Sequence, residues 1–188
     1  LVNVVIFGPP GAGKGTQALN IVKKYNLYQV STGDLLRNEV KNKTDIGKVI
    51  ENIISKGDFA TDEIVNDLIK KVIFDPNKKN KLIFDGYPRS LNQAENLDTL
   101  LNKSSQKIDF IFFLDVKKET IIERIEKRKI LENRADDNLS TILKRYDTYM
   151  ETTKPVLNFY SKKTNFYEID GDQKIGEISM KIEQILSV

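Results

Sequence analysis

The chain has 188 residues, a net charge of +3, 39% hydrophobic and 30% charged residues, and neither cysteine nor histidine. Those counts fit one α/β domain with a hydrophobic core and exclude a disulfide framework, a thiolate zinc site and histidine base catalysis. The small, scattered lysine excess argues against a nucleic-acid groove, and no apolar run nears the roughly 20 residues that span a bilayer.

In chain order, residues 2–7 form an apolar, β-branched run that reads as a buried strand. It leads straight into a glycine loop rather than a secretory signal, so a reducing, cytoplasmic setting is expected. A second strand is predicted at 28–30. Ile46, Val49, Ile50, Ile53 and Ile54 make a helix stripe that Gly57 is expected to stop. Ile64, Val65, Leu68, Ile69, Val72 and Ile73 make another, with Thr61 as its N-cap. Residues 77–81 read as a solvated loop. Strands follow at 81–84, 110–114 and 166–169, with Pro155 opening a helix between the last two. The final helix runs over about 175–186. Strands alternating with helices predict a doubly wound five-stranded parallel sheet covered on both faces. Ligands of such sheets bind beyond the carboxyl ends of the strands.

The strongest motif is Gly8-Pro9-Pro10-Gly11-Ala12-Gly13-Lys14-Gly15-Thr16. It fits the phosphate-binding loop G-x-x-x-x-G-K-[ST] except at Gly15, where a hydroxyl residue usually stands; Thr16 follows one place later. Glycines let backbone N–H groups turn in around phosphate oxygens, the next helix adds its positive end, and Lys14 reaches the β- and γ-phosphates. A glycine turn with no ligand is the plainer alternative.

The narrower form of this loop resembles the nucleoside monophosphate kinases, and the adenylate kinase family most of all. The resemblance continues at Ser31-Thr32-Gly33-Asp34-Leu35-Leu36-Arg37, Thr61-Asp62-Glu63, Asp85-Gly86-Tyr87-Pro88-Arg89 with Gln93, and Arg134-Ala135-Asp136-Asp137. It implies a P-loop NTPase-type fold over residues 1–188, with an AMP-binding insertion at 31–60 and a short lid at 127–137. The activity it implies is transfer from MgATP to AMP, giving two ADP.

Only six of the 30 basic residues are arginines: Arg37, Arg89, Arg124, Arg128, Arg134 and Arg145. Lysine serves where a plain charge suffices, so arginine marks sites that need a planar fork for phosphate or carboxylate; chance surface ion pairs are the alternative. By resemblance, Arg37 and Arg89 hold the AMP phosphate, Arg128 meets the ATP phosphates and Arg124 lies against the ATP adenine. Arg134 and Arg145 clamp the transferring group. Gly11, Ala12, Gly13, Lys14, Gly15 and Thr16 complete the ATP site, with Gln173 contributing its backbone. Asp85 follows the strand at 81–84, where a carboxylate reaches magnesium through water, with Thr16 a further oxygen; capping the turn at Gly86 is the plainer role for Asp85. Asp136 and Asp137 are lid contacts or helix caps.

Thr32 and Gln93 bear on the acceptor. The resemblance puts them in the AMP base pocket, lined also by Asp58, Phe59 and Ala60 through backbone and by Gly86, Tyr87 and Pro88. The uridylate/cytidylate relatives usually carry Ala and Asn in place of Thr32 and Gln93. Thr32 also fits as an N-cap. Only residues 129–133 separate Arg128 from Arg134, which resembles the short-lid form and implies no structural zinc. A monomer is expected, with ATP, AMP and ADP as partners. A uridylate/cytidylate kinase and a non-catalytic nucleotide-binding protein on the same fold are the rival readings.

Overall fold

The computed structural model describes residues 2–55, 60–132, 139–163 and 165–187, without the side chains of 54, 55, 128–132, 139, 141, 142 and 145. Five parallel strands form its sheet: β1 (Val4–Phe7), β2 (Tyr28–Ser31), β3 (Leu82–Asp85), β4 (Phe110–Asp115) and β5 (Phe166–Asp170). Their order across the sheet is β2-β3-β1-β4-β5, so the strand that feeds the glycine loop sits at the centre. All five predicted strands are present, each within two residues at either end.

Successive side chains of a strand face opposite sides, and β1 shows what that does. Val5 and Phe7 enter one core, while Val4 and Ile6 enter the other. The first core is covered by α4 (Asp62–Ile73), α5 (Leu91–Lys103) and α8 (Lys154–Tyr160). The second is covered by α1 (Lys14–Tyr25), α6 (Lys118–Glu132) and α9 (Ile175–Leu186). A strand buried on both faces needs a continuous apolar run, and Val4-Val5-Ile6-Phe7 supplies it.

Between β2 and α4 lie α2 (Thr32–Lys41) and α3 (Asp45–Ser55). Thr61 caps α4, its hydroxyl accepting from the Ile64 N–H at 3.4 Å, as predicted. Gly57 lies outside the described residues. Within 77–81 the chain makes a 3-10 turn at Pro76–Lys78 rather than a plain loop.

Pro155 stands in the first turn of α8, as expected, and no loop precedes that helix. Helix α7 (Leu139–Thr148) runs into a π-helical turn at Tyr149–Thr153, and α8 continues from it with Pro155 near its start. Proline has no N–H to donate and its ring crowds the carbonyl four residues back, and a wider turn just before it accommodates both.

Candidate active site

The carboxyl ends of the strands gather the loops that the sequence singled out. Phe7 leads into the glycine loop, Ser31 into α2, Asp85 into 86–90 and Asp170 into 171–174. Gly13 caps α1 with φ 90°, a left-handed conformation that side chains disfavour. Gly11 is also left-handed, and a Cβ there would lie 2.9 Å from Ile125 and 3.0 Å from Ile121 of α6. The loop is thereby pressed onto that helix.

Lys14 is half-buried, and its ammonium donates to the Gly8 and Pro9 carbonyls at 2.8 and 2.9 Å. Burial pushes its pKa down to about 8, against the pull of the Asp85 carboxylate, while Arg89 adds to the depression. Asp85 is set by Gln29 of β2, whose Nε2 donates to Oδ2 at 3.0 Å. The same Oδ2 would lie 3.7 Å from a Cβ at Gly15. The carboxylate therefore faces the first turn of α1, where Thr16 is exposed. Its partner is a side chain of the neighbouring strand, not the turn at Gly86.

Arg124, on α6, connects two loops. Its guanidinium donates to the Ala12 carbonyl at 3.3 Å, to Gly171 at 2.6 Å and to Gln173 at 3.3 Å. The structure thus brings together Arg124, the glycine loop and the backbone of Gln173. The Gln173 side chain turns away to Asp170.

Across β1 and β3 lies a second group. Arg37 folds over Gly33 at the start of α2 and pairs with Asp34 at 2.5 Å. The guanidinium holds the Asp34 carboxyl below the usual carboxylate range. Both partners are exposed, so the pair contributes little to stability and yields readily to a stronger anion. The cap of α2 is Ser31, which accepts from Asp34 N–H at 3.4 Å; Thr32 is not the cap. Ser31 both ends β2 and caps α2, so Thr32 is already the first residue of the helix. Thr32 is 8% exposed and donates to the Gly86 carbonyl at 3.4 Å.

Arg89 is fixed through its backbone. Its N–H donates to Gln93 Oε1 at 2.8 Å, and its carbonyl accepts from the buried Thr153 hydroxyl at 3.2 Å. Its Nε donates to the Gly86 carbonyl at 2.8 Å. Tyr87 and Pro88, joined by a cis peptide, are buried beneath it. The Tyr87 hydroxyl lies 2.8 Å from Asn66 Oδ1, and burial pushes its pKa up to about 12. Ala60 packs against the core beside these residues.

Arg128 falls on α6 and Arg145 on α7, but their side chains lie outside the description. Asp58, Phe59, Arg134, Asp136 and Asp137 lie outside the described residues altogether. Three residues that the sequence reading gave no role at the site, Gln29, Asp62 and Thr153, hold Asp85, Gln93 and Arg89 in place. A groove of about 470 Å³ at the opposite edge of the sheet, lined by Asp98, Lys107, Asp109 and Lys163, has none of the expected residues. Among the described residues no cluster of His, Cys, Asp and Glu suits a metal ion, and no helix is long and apolar enough to cross a membrane.

Comparison with known proteins gives the same direction. The family model described as adenylate kinase matches residues 6–165. The adenylate kinase of Pelagibacter ubique is 48% identical, with all of both chains aligned. That of Azobacteroides pseudotrichonymphae is 44% identical over 95% of this chain and 93% of the relative. That of Porphyromonas gingivalis is 37% identical over 99% and 96%. The Pelagibacter alignment has 213 positions, 25 more than the 188 residues here, so that relative carries residues without a counterpart in this chain. Similarity of this depth over the whole chain makes it a member of the adenylate kinase family.

Proposed function

We propose that the chain transfers the γ-phosphoryl group of MgATP to AMP, giving two ADP, with the two nucleotides held on either side of β1 and β3. The observation that carries this reading is the juxtaposition of a phosphate loop and an arginine loop on neighbouring strands. The Lys14 ammonium feels both the Asp85 carboxylate and the Arg89 guanidinium.

ATP takes the side of the glycine loop. The backbone N–H groups of Gly11, Gly13, Gly15 and Thr16 and the end of α1 meet its phosphates, and Lys14 exchanges its two carbonyl partners for phosphate oxygens. Its adenine lies by Arg124 and the backbone of Gln173. AMP takes the side of α2, within an AMP-binding segment at 31–60. Arg37 and Arg89 hold its phosphate; Thr32, the backbone of Asp58, Phe59 and Ala60, the turn Gly86-Tyr87-Pro88 and Gln93 surround its base. Arg128, Arg134 and Arg145 close on the transferring group, with residues 127–137 as a short lid.

The transfer asks for alignment and charge stabilisation rather than covalent work by the protein. The AMP phosphate is already anionic, so it attacks without a general base, which accords with a chain that has no histidine. Magnesium carried in with the ATP would offset the negative charge of its phosphates. Hard oxygen donors suit it, and the carboxylate of Asp85 facing the turn that bears Thr16 supplies that chemistry, through water in the case of Asp85. The chain works as a cytoplasmic monomer.

The test is ADP formation from MgATP with AMP, UMP, CMP or GMP supplied singly. Strong turnover with AMP alone is expected. Preference for UMP or CMP would overturn the base assignment to Thr32 and Gln93. Transfer to none of the four would overturn the enzyme reading.

A further inference from the structure

Gln93 is a buried amide, 7% exposed, held at both ends. Its Oε1 accepts from the Arg89 N–H at 2.8 Å, and its Nε2 donates to Asp62 Oδ1 at 2.6 Å. These partners have opposite and unalterable polarity. A backbone N–H only donates, and a carboxylate only accepts. The amide therefore has one orientation. Turned over, it would set NH₂ against N–H and a carbonyl oxygen against a carboxylate.

Asp62 is itself held. Its Oδ2 accepts from the Ser90 hydroxyl at 3.2 Å, and the same hydroxyl accepts from the Gln93 N–H at 3.2 Å to cap α5. The carboxylate so ties the first turn of α4 to the first turn of α5.

Each end of the Gln93 amide keeps one further capacity: a lone pair on Oε1 and a hydrogen on Nε2. A base that meets it must offer a donor to the oxygen and an acceptor to the nitrogen. Adenine does so with its 6-amino group and N1. Hypoxanthine and guanine present the reverse, a 6-oxo acceptor and an N1–H donor. We propose that Asp62 is a specificity-determining positioning residue: by fixing the Gln93 amide, it sets the acceptor site for a 6-aminopurine against a 6-oxopurine. This rests on Gln93 meeting the acceptor base, as in the function proposed above. Asp62 acts through Gln93 and touches no substrate. A site built around one hydrogen-bond polarity rejects the opposite one by leaving its own polar groups unmatched.

The plainer role for Asp62 is that of a first-turn carboxylate at the positive end of α4, which it shares with Glu63. The two roles separate in a transfer assay with AMP and IMP as acceptors, applied to the unaltered chain, Asp62→Asn and Glu63→Gln. Asp62→Asn keeps the shape but can both donate and accept, so the Arg89 N–H alone still opposes the turned Gln93 amide, which then loses one match rather than two. The preference for AMP over IMP in kcat/KM is expected to fall about tenfold, through a raised KM for AMP, with kcat for AMP within about twofold. Glu63→Gln is expected to leave the preference unchanged. A lowered melting temperature with an unchanged preference in Asp62→Asn would overturn the inference, as would equal loss in both variants. No transfer to AMP by the unaltered chain would instead overturn the function on which it rests. If Asp62→Asn does not fold, nitrogen-15 NMR of the unaltered chain decides. AMP must shift the Gln93 amide proton that Asp62 does not hold and leave the other in place; a shift of both overturns the proposal.

Discussion

At the scale of single residues, Lys14 carries a prediction that needs no mutation. With its pKa near 8 in the free chain, the ammonium is partly lost in mildly alkaline solution. Phosphates favour the charged form and raise the pKa on binding, so ATP binding takes up a proton above about pH 8. MgATP affinity should fall as pH rises from 8 to 9.5, by up to about tenfold per unit, and calorimetric titration in buffers of different ionisation enthalpy should show the uptake. Affinity that stays constant over that range would contradict the account. The sign for stability is the reverse. The charged lysine is a cost to the free fold below pH 8, a cost relieved as pH rises toward the 10.5 of an ordinary lysine. Lys14 and Asp85 were legible because they sit in motifs whose chemistry is known, and Arg124 because it is one of only six arginines among 30 basic residues. Gln29, Asp62 and Thr153 were not, because each acts on a partner 56, 31 or 64 residues away. No local pattern in a sequence marks such a pair. Asp62 entered the sequence reading only as part of Thr61-Asp62-Glu63, and nothing in that block points to Gln93.

At the scale of elements, periodicity carried most of the reading. The continuous apolar runs of the strands and the stripes of α3 and α4 were visible because each extends over several residues. What periodicity missed are the buried polar groups that hold elements together. Asn3, just before β1, is fully buried. Its Oδ1 accepts from the Leu82 N–H at 3.1 Å, and its Nδ2 donates to the Lys107 carbonyl at 3.0 Å and to Gln106 Oε1 at 3.3 Å. One amide therefore joins the starts of β1 and β3 to the turn before β4. Asn3→Leu leaves the Leu82 N–H without that partner and should lower stability by about 2–4 kcal/mol. Urea unfolding measures this, with kcat at low temperature expected to stay unchanged, since Asn3 lies at the opposite edge of the sheet from the site. A loss below about 0.5 kcal/mol would mean that water replaces the amide at no cost. The π-helical turn before Pro155 was equally illegible. Proline announces a helix start, but its local sequence does not distinguish a preceding loop from the widened turn at Tyr149–Thr153, whose Thr153 hydroxyl meets the Arg89 carbonyl.

At the scale of the whole molecule, the order β2-β3-β1-β4-β5 brings the two halves of the site to adjacent strand ends. The glycine loop leaves β1, and the Arg89 loop leaves its neighbour β3. Two phosphate-bearing ligands can then approach one another across a single strand spacing, as the proposed function requires. Sequence reading reached the five-stranded parallel sheet because alternating strands and helices leave few alternatives, whereas Arg134 and the side chains of Arg128 and Arg145 lie outside the described residues. The central claim is that both halves bind adenine nucleotides and exchange one phosphoryl group. The most direct test supplies ADP and magnesium alone and follows the phosphorus NMR spectrum. The account predicts that ADP signals decline while ATP and AMP appear in equal amounts and without inorganic phosphate. Inorganic phosphate and AMP without ATP, or ADP left unchanged, would contradict it.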